Sequence, residues 1–287
     1  MDTPVLNRSL YRRRRITNQI GMVLSSVAMA VGLLGLAWIL WTLLYNGLSA
    51  FSVDFFTKST PAPGSPGGGL ANAIVGSLLM VGVSTVVSTP IGILAGIYLA
   101  EYGAKSRFAA MTRFVVDIML SAPSIVIGLF VYAIAVASVG HFSGWAGSIA
   151  LGLIAVPVVV RTTENMLNLV PGSLREAAFA LGAPRWRVNL AVTLKAVKGG
   201  VVTGVLLSIA RMIGETAPLL FTALNNQFFT ADMSKPMANL PVVIFNFAMS
   251  PYEDWQQLAW GGAALIALVV LGINIVARIV FRDPVIR

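Results

Sequence analysis

The 287-residue sequence contains no cysteine and one histidine, and only 11% of its residues are charged. The absence of cysteine excludes disulfides, thiolate metal ligands and cysteine nucleophiles. Soluble domains carry about 25% charged residues, so this chain has too few to cover its surface in water. Hydrophobic residues make up 57% of it, and the mean hydropathy is +0.83. The composition indicates an integral membrane protein.

The sequence contains several long apolar stretches. Six of them reach the length of about 20 residues that crosses a bilayer, and a segment in lipid must be helical because its backbone groups have no other partners there. We therefore predict an all-α membrane protein with six transmembrane helices. The predicted spans are residues 19–45, 71–99, 114–138, 146–167, 198–223 and 256–280.

The basic residues predict the orientation of these spans. With the N-terminus in the cytoplasm, 17 of the 20 Lys and Arg residues lie in inner segments, as the positive-inside rule requires. Both termini are therefore expected in the cytoplasm. The cluster Arg12–Arg15 precedes the first span, where it would face anionic lipid headgroups. This placement favours lipid as the anionic partner and argues against nucleic acid.

Three outer segments connect the spans. Residues 60–69, TPAPGSPGGG, predict a flexible linker, and residues 139–145 predict a tight hairpin with an exposed His141. Residues 225–255 form the longest outer loop. It either caps a pore or meets an external partner, or it is a solvated connector.

Arg211 and Glu215 lie near the middle of the fifth predicted span. An Arg at the centre of a membrane helix costs about 2.5–3.5 kcal/mol on insertion scales, so it marks a functional candidate. The spacing of four places both side chains on one helical face, and Pro218 predicts a kink beside them. We interpret the pair as a site lining a water-filled cavity; the alternative is a structural salt bridge between helices.

Arg161 closes the fourth span, and Glu164 follows three residues later. Arg161 either snorkels to the membrane interface or converges with Arg211 on one anion-binding cavity. Asp117 has Arg113 four residues before it, which predicts an interfacial ion pair. Two pairs of small residues predict close helix packing, Gly92 with Gly96 and Gly200 with Gly204.

The segment SLREAAFALGAPRWRV at 173–188 predicts two short helices on the cytoplasmic face. Ser173 and Glu176 have the spacing of a capping box, Gly182 ends the first helix, and Pro184 opens the second. A rigid turn of this kind favours a protein-docking surface over an ordinary interfacial helix.

The same segment carries a family resemblance. Glu176-Ala177-Ala178 followed by Gly182 resembles the EAA loop of bacterial ABC importer membrane subunits, although Lys195 stands where that motif ends in proline. SAPSIVIGLFVY at 121–132, ARMIGETAPLLFTAL at 210–224, MANLPVVIF at 237–245 and AMSPYEDWQQLAW at 248–260 resemble membrane subunits of high-affinity phosphate importers. The resemblance covers the chain after residue 70.

The resemblance implies a type I importer permease that forms a phosphate pathway with a homologous subunit. It also implies two copies of a cytoplasmic ATPase and a periplasmic phosphate-binding protein as partners. The coupling residues would be Glu176, Ala177, Ala178 and Gly182, and the pathway residues would be Arg211, Glu215 and Arg161. The expected organisation is a basic arm at 1–18, a first helix and outer linker at 19–70, and a permease core at 71–287 with its coupling loop at about 168–197.

The chain shows no Walker A motif and no acidic metal cluster. We therefore expect no catalytic residue, no bound cofactor and no metal, with ATP held by partner subunits. Two other functions stay open on the sequence. The cargo is another oxyanion such as sulfate or phosphonate, or the chain is a membrane enzyme acting on lipid phosphate.

Overall fold

The computed structural model describes residues 8–65, 67–104 and 106–280, and the helices within them account for the fold. Three of these helices continue into π-helical turns, which are Tyr98–Tyr102, Tyr132–Val136 and Val188–Thr193. The helices are α1 (Arg8–Leu48), α2 (Val53–Thr57), α3 (Ala71–Ile97), α4 (Arg107–Ser121), α5 (Ser124–Val131), α6 (Gly144–Asn168), α7 (Gly172–Ala180), α8 (Arg185–Arg187), α9 (Leu194–Ala196), α10 (Lys198–Ile213), α11 (Ala217–Thr222), α12 (Leu240–Ala248) and α13 (Glu253–Val280).

The spanning helices agree with the prediction of a six-span, all-α membrane protein. Within the described residues, four helices are long and apolar enough to cross a bilayer, and two sharply bent pairs bring the number to six. Lys105, Arg282 and Arg287, which entered the prediction of orientation, lie outside the described residues. The orientation itself and the division of the chain at residues 18 and 70 remain predictions.

Helix α1 stands apart from the rest of the bundle. Its 41 residues extend about 60 Å at 1.5 Å per residue, which is twice the apolar thickness of a bilayer. The apolar part of the helix buries none of its residues against the rest of the chain. It meets α13 near its end, where Gly47 packs against the backbone of Trp260 and the side chain of Ala264.

The third predicted span, 114–138, is not one continuous helix. α4 ends at Ser121, and α5 starts after Pro123 at an angle of 107°. The residue before a proline is driven out of the helical region, and Ala122 accordingly has φ −68° and ψ 136°. The prediction of continuity was wrong, because Pro123 ends one helix and caps the next instead of bending a single one.

Helix α6 lies at the centre of the bundle, between α3 and α10. A Cβ on Gly92 would lie 2.6 Å from the Cβ of Val159, and one on Gly96 would lie 2.6 Å from that of Thr163. On the other side of α6, the missing side chains of Gly200 and Gly204 leave room for Met166 and Thr162. Packing drives helix association in lipid, and small residues permit it. Both predicted glycine pairs are therefore confirmed as contact faces.

The predicted outer segments are more ordered than linkers. Asn72, at the start of α3, donates from Nδ2 to the carbonyl of Asn226 at 2.9 Å and to Thr60 Oγ1 at 3.0 Å. The backbone N–H of Thr60 donates to Asn72 Oδ1 at 3.1 Å. These bonds tie residues 60 and 226 to the same helix end. The 137–143 turn joins the third and fourth spans as a short connection, and His141 is exposed there as predicted.

Part of segment 225–255 is neither a loop nor a solvated connector, because residues 236–248 do not run through solvent. They pack into the bundle: α12 is capped by Asn239, whose Oδ1 accepts from Val242 N–H at 3.0 Å, and Ser77 on α3 accepts from Leu240 N–H at 2.8 Å. The sequence pattern did not indicate this helix, because Pro241 stands in its first turn. Proline is tolerated at that position, but it is also typical of loops. Its apolar residues join the buried cluster Phe55, Leu70, Ala73, Ala238, Leu240, Val243, Phe247, Leu258 and Ala259.

Candidate functional site

Arg211 lies on the last turn of α10, and Glu215 lies just beyond the end of that helix. The Nε of Arg211 donates to Oε1 of Glu215 at 3.3 Å, so the predicted pair forms. The predicted continuous helix, however, does not form. α10 ends at Ile213 with Gly214 as its C-cap, and α11 begins at Ala217. Glycine weakens a helix interior, and Pro218 cannot donate to the carbonyl of Gly214, so the helix breaks where a kink was predicted.

Packing fixes this break in place. Pro218 is the second residue of α11, and a Cβ on Gly128 of α5 would lie 2.6 Å from its Cα. Met212 before the break and Leu219 after it are both buried in one apolar cluster. Residues packed into the bundle therefore lie on both sides of residues 214–216.

The broken backbone and the charged pair together distinguish this segment. Non-helical backbone at membrane depth is tolerated where it is buried in protein or lines a water-filled cavity, and the sequence predicts that this segment lies within the membrane. The side chain of Glu215 is 14% exposed in the isolated chain, whereas that of Arg211 is 41% exposed. The negative end of the α10 dipole favours the arginine at this position.

Arg161 belongs to a different ion-pair network. Its Nη1 donates to Oε2 of Glu164 at 3.1 Å, and its Nη2 pairs with Asp117. Arg113 donates from Nε to Oε1 of the same Glu164 at 2.5 Å and from Nη2 to the carbonyl of Leu99 at 2.7 Å. The predicted pair of Arg113 with Asp117 was wrong, because each residue finds its partner on α6.

This four-residue network joins α4 to α6. Glu164 is only 5% exposed, and a buried carboxylate left without its partner costs about 3–5 kcal/mol. Two arginines and two carboxylates balance each other's charge. Among the described residues, Arg161 and Arg211 share no ion partner, so the predicted convergence of the two arginines on one site is not visible as a contact.

Helix α7 and its following turn form a compact knob at residues 172–187. The N–H of Gly182 donates to the carbonyl of Phe179 at 2.9 Å, and that of Ala183 donates to the carbonyl of Ala178 at 3.3 Å. These are the two hydrogen bonds of the Schellman motif, which needs a left-handed residue after the helix. Gly182 has φ +78°. The prediction that Gly182 ends the helix is confirmed, and Pro184 caps α8 as expected.

The start of the knob differs from the prediction. Pro171 is the N-cap of α7, and no side chain caps the helix. Ser173 and Glu176 therefore do not form a capping box. The helix therefore begins at Gly172, two residues earlier than it would with Ser173 as its N-cap. Glu176 is then the fifth helical residue and is exposed, along with Ala177, while Ala178 is half-buried.

The turn of the knob presents apolar side chains. Leu181 is 89% exposed, and Phe179 and Trp186 are also exposed large hydrophobic residues. They lie close in sequence to the Gly182 turn, against which none of the described helices packs. From this knob the chain enters α10 through a bend of 74° at Val197, whose φ of −111° and ψ of 16° are not helical.

Sequence reasoning missed Arg175, which holds the knob to the bundle. It contacts both carboxylate oxygens of Glu101 and two carbonyls near the end of α6. The two residues are 74 positions apart, and no local spacing links them. The one available signal was Glu101 itself, an acidic residue at the end of an apolar span.

Two other kinds of site were considered, a metal site and an apolar ligand site. Among the residues that the structure describes, no group of three His, Cys, Asp or Glu side chains is placed to hold a metal ion. A groove of 560 Å³ between α3, α10 and α13 has an uncharged, largely aliphatic lining, which does not suit an anion.

The fold is that of the membrane subunits of ABC importers. A bacterial ABC transporter involved in the import of the acidic polysaccharide alginate superposes with a TM-score of 0.61, covering 97% of this chain and 100% of that one. The two sequences are 13% identical, so this likeness concerns the fold alone.

Sequence comparison defines the family. Residues 92–282 match the family described as binding-protein-dependent transport system inner membrane component. A phosphate transport system permease protein PstA from Yersinia pestis is 60% identical over 93% of this chain and 91% of its own length. Another from Pasteurella multocida (strain Pm70) is 57% identical over 96% and 98%. The chain belongs to this inner membrane component family and, within it, to the PstA permeases, which are multi-pass proteins of the bacterial inner membrane.

Proposed function

We propose that this chain is a permease subunit of an ATP-driven importer of inorganic phosphate. In this proposal the chain does not hydrolyse ATP; it forms part of the pathway that the anion crosses. The names of its relatives support the cargo, and the exposed guanidinium of Arg211 at a rigid helix break supports the route. The latter observation carries the proposal, because an exposed cation beside a break in a membrane helix would attract an anion that crosses there.

Arg211 suits a phosphate pathway by its shape as well as its charge. Its planar guanidinium donates two parallel hydrogen bonds to a tetrahedral oxyanion. Only one of its nitrogens, Nε, donates to Glu215. The exposed side of the group then remains for the anion, facing away from this chain toward a second subunit.

Glu215 keeps the site from holding phosphate too tightly. A transit site must release its ion as well as bind it. The carboxylate lies 3.3 Å from the guanidinium, so it offsets part of the positive charge and orients Arg211. Phosphate, an anion, is then attracted to the site without being trapped in it.

Arg161 is a weaker candidate for direct contact with the anion. Asp117 and Glu164 compensate its charge, and these bonds link α4 to α6. Its role in this proposal is to line the inner end of the pathway, where the position of α6 sets the width of the opening.

The family description implies a substrate-binding protein and an ATPase as partners. The finer assignment is a PstC-like homologous permease, a dimer of PstB-like ATPases, a PstS-like periplasmic phosphate-binding protein and anionic lipid around the arginines of the N-terminal arm. The ATPase dimer would dock on the knob through the exposed turn at Leu181 and Gly182 and the exposed face of α7 with Glu176 and Ala177. ATP stays on those partners.

The orientation gives the first testable prediction. Reporter domains fused after Arg107 or Arg187 should report the cytoplasm, and those fused after Ser65 or Lys235 should report the periplasm, because of the distribution of basic residues. Alkaline phosphatase and green fluorescent protein fusions measure the two locations. A cytoplasmic signal after Lys235 would contradict the six-span orientation.

Uptake measurements test the cargo. Cells lacking this subunit should lose high-affinity uptake of radiolabelled phosphate and regain it when the gene is restored, whereas sulfate uptake should be the same in both. Restored sulfate or phosphonate uptake with unchanged phosphate uptake would favour another oxyanion as the cargo.

A further inference from the structure

Arg175 joins three parts of the chain at one guanidinium. Its Nη2 donates to Oε1 of Glu101 at 2.9 Å, and its Nε lies 3.2 Å from each carboxylate oxygen. Its Nη1 donates to the carbonyl of Val170 at 2.7 Å, and Nη2 also donates to that of Leu167 at 2.9 Å. One side chain of α7 therefore binds the end of the second span and the end of α6.

These bonds are sheltered and mutually dependent. The side chain of Glu101 is 9% exposed, so its charge needs the arginine. The carbonyl of Leu167 lies at the end of α6 and also accepts from Val170 N–H at 3.2 Å, and Val170 lies two residues beyond that end. Arg175 supplies donors to all of these acceptors in one plane, as a lysine could not.

The other connection from the knob is less direct. Between α7 and α10 the chain passes the Gly182 turn and then the 74° bend at Val197. Gly199 and Gly200 follow this bend. We expect a link with two such bends to transmit less of a displacement of α7 to α10. The Arg175 hydrogen bonds, in contrast, connect α7 directly to the end of α6.

We propose that Arg175 and Glu101 form a clasp that makes α7 move as one body with α6 and the end of α3, and that this clasp couples ATPase motion to the pathway. The proposal rests on the proposed function for its direction of transport. Through the clasp, movement of the knob shifts α6, which carries Arg161 and Glu164. The faces of Gly200 and Gly204 pass the shift on to α10, and so to Arg211.

Arg175→Lys tests the clasp in the assembled complex reconstituted in lipid vesicles. The ammonium keeps the charge but cannot reach both carboxylate oxygens and both carbonyls. We expect phosphate uptake to fall about tenfold, within the usual range of coupling between sites. Basal ATP hydrolysis should stay close to the wild-type rate, so that fewer anions cross per ATP.

Glu101→Gln is the second variant. It keeps the size of the side chain and one acceptor oxygen, so it serves even where Arg175→Lys does not assemble, and the same uncoupling is expected. Lys58→Gln is the matched control, because it removes an exposed ion pair with Asp54 on the other side of the bundle. It should leave both rates unchanged.

A distance measurement separates the clasp from the cargo. The chain has no cysteine, so cysteines placed at Ile149 on α6 and Ala180 on α7, both exposed, are its only thiols for spin labels. With Arg175 intact we expect one narrow distance that is the same without nucleotide and with ATP. In Arg175→Lys the distribution should broaden or shift.

Three results would overturn the proposal. The first is normal uptake and normal hydrolysis in both clasp variants. The second is an equal loss of uptake and hydrolysis, which means failed ATPase docking instead of uncoupling. The third is a change of the labelled distance on ATP binding while Arg175 is intact. If the wild-type complex moves no phosphate but the labelled distances behave as expected, the proposed cargo fails and the clasp stands.

Discussion

Replacing Arg211 with alanine is expected to lower phosphate uptake about 100-fold or more, the usual loss when a preorganised donor to an oxyanion is removed. The complex should still assemble, because Arg211 is substantially exposed and its ion partner among the described residues is Glu215. Arg211→Lys should recover little, since the ammonium lacks the planar fork that fits the tetrahedral anion. Uptake of radiolabelled phosphate, alongside quantification of the purified complex, measures both effects.

The lysine variant is the informative control for this prediction. If Arg211→Lys transports at nearly the wild-type rate, a positive charge at the helix break is sufficient and the shape of the guanidinium has no role. If Arg211→Ala prevents assembly, the pair with Glu215 is structural and the pathway lies elsewhere.

Gly182→Val is expected to abolish uptake and to release the ATPase. The Schellman turn needs φ near +78° at this position, and a left-handed conformation costs a non-glycine residue about 1–2 kcal/mol, more for a β-branched one. No other part of the chain lies within 4 Å of the added Cβ, so the effect comes from the backbone and not from a clash inside the subunit. Copurification of the ATPase with the variant measures it.

Gly182→Asn distinguishes two reasons for a glycine at this position, namely the left-handed turn and a close approach of the ATPase to the backbone. Asparagine tolerates the left-handed region, so it should retain much of the docking if only the turn matters. Loss of docking in Gly182→Asn would mean instead that the ATPase approaches the bare backbone closely. Normal docking by Gly182→Val would show that the knob is not the ATPase site.

The features that local sequence patterns specify were predicted well. Within the described residues, apolar length located four continuous spans, whereas the third and fifth predicted spans lie on bent or broken helices. Small residues four apart located both faces of α6. Gly182 marked the end of α7, because glycine adopts the left-handed turn without steric cost.

The features that depend on distant partners were not predictable in this way. Asp117 stands four residues after Arg113, yet Arg113 binds Glu164 on another helix, where the buried carboxylate has the greater need of a cation. Arg175 and Glu101 have no spacing that links them. Pro218 predicted a kink, but whether a helix kinks or breaks depends on what packs against the interruption, as Pro218 does on Gly128.

Uptake by the double variant Arg211→Leu with Glu215→Leu tests the central claim most directly. Removing both charges leaves neither one buried without a partner, so a purely structural salt bridge should tolerate the change. The measurement is ATP-driven accumulation of radiolabelled phosphate in vesicles that hold the assembled complex and the loaded binding protein. We predict accumulation by the wild type and almost none by the double variant, because the anion then meets no counter-charge at mid-membrane. Near wild-type accumulation by the double variant would contradict the assignment of Arg211 to the phosphate pathway.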